Sequence, residues 1–427
     1  MYKKFFKIVV EFKNDSLYRN SVYLMLSTFI GAFFGFFFWI INARLFTVEQ
    51  VGLATTVISL VSLFNIISSL GLNVGLIRFL PKSSTKNDDI NSSFTLNAIV
   101  SLIIVIVFIF NIETFSPKLS FLKTNYVFII SFLLFVMFSS INSLLESVFI
   151  AYRSAKYVLV KNTILNVGKL FFPLLLISFG AYGIFSSVGI ATAISTVFSI
   201  VILSRVFNYR AKIHINSGVI RKYASYSFKN YLSSFLNLLP PMLLPIIITN
   251  KFGPKESAYF YVAFMIASLV FTVPIAVTQS MFAEGSHDET QVSNHAKKSI
   301  VIIFGILIPL IIIFSLFGNY ILLAFGKRYS EEAFMLLRLL IASSLITSTN
   351  YIIGTVLKIF NRVNFLIFGN LIGSGIIIYY AYSDFSHNLL NVGLGWIIGQ
   401  LVITVIYGFG FYYFKNENRK TLANKTH

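Results

Sequence analysis

The sequence predicts an all-α polytopic membrane protein with about twelve transmembrane helices, arranged as two six-helix lobes around a central cavity. Composition is the first observation behind this prediction, because 56% of the 427 residues are hydrophobic, only 11% are charged, and mean hydropathy is +0.81. Soluble domains do not reach this apolar excess. The second observation is a series of twelve apolar stretches that can each cross a hydrocarbon core as a helix. The third is that the two halves of the chain resemble each other.

Each half contains six of these stretches. In the first half they are residues 22–41, 52–76, 93–110, 126–150, 158–179 and 182–207. In the second half they are residues 231–248, 259–282, 300–317, 333–357, 363–382 and 389–413. The first stretch is longer than the apolar region of a signal peptide, and Asn42, Ala43 and Arg44 follow it rather than a cleavage site. We therefore expect it to remain as a helix.

The stretches also predict the domain organisation. In order, we expect a basic amphipathic N-terminal segment (1–20), an N-lobe (21–207), a basic linker (208–228), a C-lobe (229–414) and a tail (415–427). Most of the 34 Lys and Arg fall on the side that both termini share, where helix-end residues such as Lys161 and Arg205 are assigned to the adjacent loops. Cationic loops are retained on the cytoplasmic side. Both termini are therefore expected in the cytoplasm, with the chain in the cell (plasma) membrane.

The opening helices of both halves have sequences that permit bending. At a constant offset, Gly31 aligns with Asn237 and Gly35 aligns with Pro241. Prolines concentrate in the opening hairpin of the second half, at positions 240, 241, 245 and 274. A static kink is one interpretation, because lipid-embedded helices tolerate proline when neighbours or water satisfy the freed carbonyl. The other is bending as two lobes rock around a central cavity.

Polar residues recur at helical spacing in several stretches, and residues at positions i, i+3, i+4 and i+7 share one face of a helix. We take Asn166 in the fifth stretch, Asn237 in the seventh and Asn350 in the tenth as candidate substrate-binding residues. Small residues alone would only allow close helix packing. Repeated asparagines favour a hydrated interior.

Lys169 is the most informative single residue, because it lies deep inside the fifth stretch, where a charge is costly unless it is hydrated or paired. Glu146, on the polar face of the preceding stretch, is its expected partner. One interpretation is a structural ion pair. The other makes Lys169 an anion site and Glu146 a residue that couples transport to H⁺ or Na⁺.

Four further cations are candidate substrate-binding residues. Arg338 lies within the tenth stretch but opposite its polar face, so it can also snorkel toward the outer surface. Arg78 and Lys358 lie near cytoplasmic helix ends and Arg44 near an outer end. Each of these three could gate the cavity or anchor its helix among headgroups.

Several classes of function lack support in the sequence. There is no cysteine, no Walker-type phosphate loop, no nucleophile elbow and no metal-ligand spacing. The net charge of +19 is spread over many short loops rather than one patch, which argues against nucleic-acid binding. We expect no enzyme activity, no cofactor and no metal, and transport driven by a gradient or by substrate supply.

Three motifs carry a resemblance to a known family. They are Asn42 to Leu53 (NARLFTVEQVGL), Gly71 to Lys82 (GLNVGLIRFLPK) and Ala151 to Tyr157 (AYRSAKY). With them the chain resembles the oligosaccharide flippases, a polysaccharide biosynthesis and export family. The superfamily also holds multidrug and toxin extrusion proteins and lipid II flippases, and it exports drugs, oligosaccharidyl-lipids and polysaccharides.

The resemblance implies a multidrug and toxin extrusion-like fold. It also implies that a polyprenyl-phosphate- or diphosphate-linked oligosaccharide is flipped from the cytoplasmic to the outer leaflet. The resemblance implies a functional role for only two residues, Arg44 and Arg78, which lie in the matching motifs. We expect a monomer among membrane lipids, with glycan-assembly proteins as candidate partners.

Two other functions stay open. An ion-coupled multidrug antiporter of the same superfamily would use Glu146 for cation efflux, although drug-exporting relatives place acidic residues in the first helix and this chain has none there. A major-facilitator-type transporter is the other alternative, although residues 82–92 lack the loop signature expected of that class.

Overall fold

The computed structural model describes residues 16–383 and 388–423, and in these ranges the regular structure is helical throughout. The chain forms two compact units, unit 1 (Met1–Tyr231) and unit 2 (Leu232–His427). Most of the expected amphipathic N-terminal segment, residues 1–15, lies outside the described residues.

Unit 1 contains eight α-helices and the start of a ninth. They are α1 (Ser16–Leu45), α2 (Val48–Ser69), α3 (Leu72–Phe79), α4 (Lys86–Phe110), α5 (Ile112–Phe115), α6 (Tyr126–Ala151), α7 (Ala155–Leu175) and α8 (Gly180–Phe207), followed by α9 (Ser217–Lys251). The boundary between the units falls within α9.

Unit 2 contains the rest of α9 and six further helices. They are α10 (Pro254–His287), α11 (Val292–Leu323), α12 (Lys327–Ala342), α13 (Ser344–Ile359), α14 (Val363–Tyr382) and α15 (Leu389–Ala423). Residues 415–423, expected as part of a tail, continue α15, and α9 runs through Pro240, Pro241 and Pro245.

The prediction of an all-α polytopic protein with about twelve membrane-spanning helices is confirmed. Twelve helical segments in the described part of the chain are long and apolar enough to cross a membrane, and the tenth of them, Lys327–Ile359, is formed by α12 and α13 together. Large apolar side chains on them face outward, such as Phe110 at 79% exposure and Val301 at 72%. Lipid is the solvent that accepts such a surface, so the protein is a multi-pass membrane protein.

Three predicted elements differ from the structure, one of them the stretch 333–357, which is divided at Ser343 between α12 and α13. The stretch 52–76 is not one helix, because α2 stops before Leu70 and Gly71, whose φ angles are 47° and 78°. Glycine adopts this left-handed backbone without a steric penalty, so a new helix, α3, can start there in another direction. The expected linker 208–228 is also shorter, because α9 already begins at Ser217 and only residues 208–216 are non-helical.

The first turns of α9 pack into unit 1 through Tyr223. This side chain is 1% exposed, and its hydroxyl donates to Asp89 Oδ2 at 2.6 Å. Gly75 on α3 makes the close approach possible, because a Cβ atom there would lie 2.7 Å from Tyr223 Cβ. Burial, and then the hydrogen bond and charge of Asp89, raise the pKa of Tyr223.

Candidate functional site

An ion pair between a buried lysine and a partly exposed glutamate joins α6 and α7 in unit 1. Lys161 Nζ lies 3.2 Å from Glu146 Oε2 and donates to Asn142 Oδ1 and Asn162 Oδ1, both at 2.9 Å. The Lys161 side chain is 2% exposed, whereas that of Glu146 is 40% exposed. Three acceptors satisfy the three N–H groups of the ammonium. We call these four residues the Lys161 cage.

The Lys161 cage is held by two further helices. Asn142 Nδ2 donates to Ser195 Oγ at 3.3 Å and to Thr196 Oγ1 at 3.0 Å on α8. Asn162 Nδ2 donates to Ser27 Oγ on α1 at 2.9 Å. Four helices of unit 1 therefore meet around one ion pair.

The predicted pairing of Glu146 with Lys169 is wrong, and Lys161 takes that place. Glu146 lies five residues before the end of α6, and Lys161 lies six residues after the start of the antiparallel α7. The two charges are therefore at similar depth. Lys169 lies eight residues further along α7, about 12 Å deeper at 1.5 Å per residue. Sequence reasoning missed Lys161 because it assigned this residue to the loop.

Lys169 is half-buried and has no hydrogen bond or ion pair to any residue that the structure describes. Its Nζ atom lies 5.6 Å from the centroid of the Phe38 ring on α1. A Cβ atom at Gly35 would lie 3.9 Å from this Nζ, and one at Gly31 would lie 4.0 Å from Asn166 Nδ2. The predicted residues Asn166 and Lys169 thus face the glycine-bearing side of α1.

Part of the polar pattern holds helices together. Asn65 Nδ2 on α2 donates to Ser139 Oγ on α6 at 2.7 Å, and Asn97 Nδ2 on α4 donates to Ser68 Oγ at 3.4 Å. Interhelical hydrogen bonds of this kind stabilise helix association in lipid. The faces that carry Asn65 and Asn97 therefore serve helix packing.

The first two sequence motifs also serve local structure. Thr47 and Gln50 form a capping box at the start of α2, with Gln50 N donating to Thr47 Oγ1 at 3.3 Å and Thr47 N donating to Gln50 Oε1 at 3.1 Å. Arg44 is exposed in the last turn of α1, and Arg78 is exposed on α3. These arginines lie beyond opposite ends of α2, so one binding group cannot contact both at once.

The predicted residues of unit 2 have different surroundings. Asn237 on α9 and Lys358 at the end of α13 are exposed. Asn350 is buried: its Nδ2 donates to Gln400 O and Gln400 Oε1, both at 3.0 Å, and its Oδ1 accepts from Thr404 Oγ1 at 2.7 Å. This amide joins α13 to α15. Whether it also binds substrate stays a prediction.

Arg338 on α12 contacts the neighbouring α11. Its Nε and Nη2 donate to Ser315 O at 2.9 and 2.6 Å, and its guanidinium lies 4.4 Å from the centroid of the Phe334 ring. A second anchor, Asn370, was not predicted: its Nδ2 donates to Ser233 O at 3.0 Å and its Oδ1 accepts from Tyr407. Within the described ranges, no cluster of three or more His, Asp or Glu could hold a metal.

Comparisons with known proteins place this architecture. The profile of a family described as "Polysaccharide biosynthesis protein" matches residues 41–333. No curated protein matches the chain.

Three solved structures are similar in fold at low sequence identity. The lipid II flippase MurJ in an inward closed conformation has a TM-score of 0.75 at 12% identity, over 92% of this chain and 87% of that one. An inward-facing multidrug resistance MATE family transporter of the MOP superfamily has a TM-score of 0.68 at 15% identity, over 95% and 99%. A MOP superfamily transporter from Pyrococcus furiosus has a TM-score of 0.60 at 12% identity, over 94% and 95%.

Proposed function

Because the chain belongs to the polysaccharide biosynthesis protein family, we propose that it is a flippase. It moves polyprenyl-phosphate- or diphosphate-linked oligosaccharide from the inner to the outer leaflet by alternating access, for cell-surface polysaccharide or glycan biosynthesis. It acts as a monomer in the plasma membrane with both termini cytoplasmic, and it catalyses no covalent step. The fold shared with the lipid II flippase MurJ supports this choice.

The single observation that carries the proposal is the state of Lys169. Glu146 is bound to Lys161, so its charge does not neutralise Lys169. A lysine held deep in a span without a carboxylate is costly unless water or an anion meets it. The phosphate of a lipid-linked sugar supplies that anion, while the polyprenyl chain stays in the bilayer. Asn166, on the same side of α7, donates one amide N–H to Asn162 O at 2.7 Å, and its second N–H can donate to the same group.

The exposed face of Glu146 makes it the candidate coupling residue, with H⁺ or Na⁺ as the coupling ion. Binding of a proton or cation there would weaken the contact between Glu146 and Lys161, and with it the link between α6 and α7. The fold likeness to the MATE transporter keeps ion-coupled drug efflux as the second candidate function, with Glu146 as its essential residue.

The test is flipping of a fluorescent polyprenyl-diphosphate sugar by purified protein in proteoliposomes, with a membrane-impermeant quencher reporting the outer leaflet. We expect Lys169→Gln to slow flipping about tenfold, the loss of one charge-assisted hydrogen bond. Lys156→Gln removes an exposed lysine of the same helix and should not change the rate.

Two results would reject the assignment. Unchanged flipping by Lys169→Gln would exclude this lysine as the anion site. Absent flipping by the unmodified protein, together with organic-cation efflux that Glu146→Gln abolishes, would favour the antiporter.

A further inference from the structure

The non-helical segment 208–216 lies along α4 in register. Backbone N–H groups of Arg210, Lys212 and His214 donate to Asn87 Oδ1, Asn91 Oδ1 and Thr95 Oγ1 at 3.3, 3.1 and 3.3 Å. Two residues of extended chain advance about 6.6 Å and four residues of helix about 6 Å, so every second residue of the segment meets one turn of α4. We call residues 208–216 the strap.

Tyr209 fixes the start of the strap and Asn216 fixes its end. The Tyr209 hydroxyl donates to Asn91 Oδ1 at 2.6 Å, and Asn216 N donates to Ser92 Oγ at 3.0 Å. These contacts all lie within unit 1. The strap is therefore a fixed part of the surface of this unit.

The strap carries exposed apolar side chains at the level where the apolar stretch of α4 begins. The helix α4 is one of the twelve spans, and Thr95 lies two residues into its apolar stretch 93–110, at the boundary between headgroups and acyl chains. At this level Ile213 is 88% exposed, and Ile215 is 50% exposed. Apolar side chains this exposed at the edge of an apolar stretch suit contact with acyl chains better than contact with water.

Positive charge lies at the shallower levels of the same surface. Arg210 and Lys212 are exposed beside Asn87 and Asn91, the first turns of α4. No Asp or Glu occurs between Arg205 and Tyr223. A recess beside the strap is lined by Phe94, Tyr209, Lys212 and Ile213, among others. The strap thus presents cations on the side of the lipid headgroups and apolar side chains on the side of the acyl chains. An anionic lipid has its phosphate and its acyl chains in the same order.

We infer that the strap binds an anionic phospholipid, with Arg210 and Lys212 at its phosphate and Ile213 and Ile215 beside its acyl chains. This site does not depend on what the protein transports. It ties the connection between the two halves of the chain to the lipid composition of one leaflet.

Tryptophan fluorescence tests the inference, because the chain has only two tryptophans, Trp39 and Trp396, and both are buried. The variant Ile213→Trp is reconstituted in vesicles containing phospholipid brominated on its acyl chains, either phosphatidylglycerol or phosphatidylcholine at equal mole fraction. The parent protein gives the baseline. Ser84→Trp, on the exposed loop before α4, is the control for headgroup depth.

We expect strong quenching of the new tryptophan at position 213, weak quenching at position 84, and preferential quenching by brominated phosphatidylglycerol. A cation near the membrane surface contributes about fivefold enrichment of anionic lipid. Adding Arg210→Gln and Lys212→Gln should abolish the preference while quenching itself persists. Lys297→Gln with Lys298→Gln removes two exposed lysines elsewhere and should leave the preference intact.

Three outcomes would overturn the inference. Absence of quenching at position 213 would mean that acyl chains do not reach the strap. Equal quenching by the two lipids would show that the strap does not select an anionic lipid. If the preference for phosphatidylglycerol persists after both Arg210 and Lys212 are replaced, these residues do not bind the phosphate.

Discussion

Lys161 and Glu146 form an ion pair in which one partner is sealed and the other is open. Their charged atoms lie 3.2 Å apart, with side-chain exposures of 2% and 40%. This asymmetry predicts unequal effects of removing either partner, because a buried charge without its counter-ion is far more costly than a hydrated one.

We expect Glu146→Ala to lower the free energy of unfolding by about 3 kcal/mol, since it leaves the buried Lys161 ammonium without a counter-ion. Lys161→Met should cost about 1 kcal/mol, because water can still solvate Glu146. Denaturant unfolding in mixed micelles measures both. The double variant should be more stable than Glu146→Ala alone. A larger cost for Lys161→Met would contradict this account.

Close packing of α14 against α15 depends on Gly399. A Cβ atom there would lie 2.7 Å from the backbone oxygen of Gly373 and would also overlap Ile377, whereas Gly408 on the same helix has nothing within 4 Å. Gly399→Ala should therefore destabilise unit 2 by about 2 kcal/mol. Gly408→Ala should be neutral or stabilising by up to about 1 kcal/mol. Thermal unfolding in detergent distinguishes the two, and equal effects would exclude the close contact.

Two tyrosines outside the membrane spans predict that the folded protein becomes less stable at high pH. Burial raises the pKa of Tyr209 to about 12, and burial with Asp89 raises the pKa of Tyr223. An unfolded tyrosine titrates near 10. The native state therefore holds these protons more tightly, and the stability that they contribute is complete below about pH 10 and is lost as the pH rises toward 12.

The measurement is the thermal midpoint at pH 8, 10 and 11. The variant Tyr209→Phe with Tyr223→Phe should be less stable than the parent at pH 8, because it loses two hydrogen bonds, but should lose less stability between pH 10 and 11. The exposed Tyr320→Phe is the control. The same slope in the double variant and the parent would refute the assignment.

Arg338 is expected to stabilise unit 2 rather than to bind substrate, because its guanidinium already donates twice to Ser315 O. Arg338→Met should lower the free energy of unfolding by about 2 kcal/mol. Flipping per folded molecule should stay within about twofold. Arg328→Gln, at the exposed start of the same helix, should change neither. A loss of flipping without a loss of stability would instead indicate that Arg338 binds substrate.

Several elements could be predicted from the sequence for a physical reason. A chain in lipid must satisfy its backbone polar groups internally, so apolar length alone locates helices such as α4 and α6. The break at Leu70 and Gly71 was missed, because the residues on both sides are apolar and only the left-handed backbone marks it. The strap was missed for another reason: its hydrogen bonds join residues more than a hundred positions apart.

The sequence alone determined the number of spans and the deep position of Lys169, since these follow from composition and from distance along a helix. It also showed that a carboxylate inside a span, such as Glu146, needs a partner of opposite charge. Only the tertiary structure decided which lysine is neutralised. The depth and rotation of α7 against α6 bring Lys161 to Glu146 and leave Lys169 facing α1. Ion pairing falls off within a few ångströms, and helical spacing does not fix that separation between two helices.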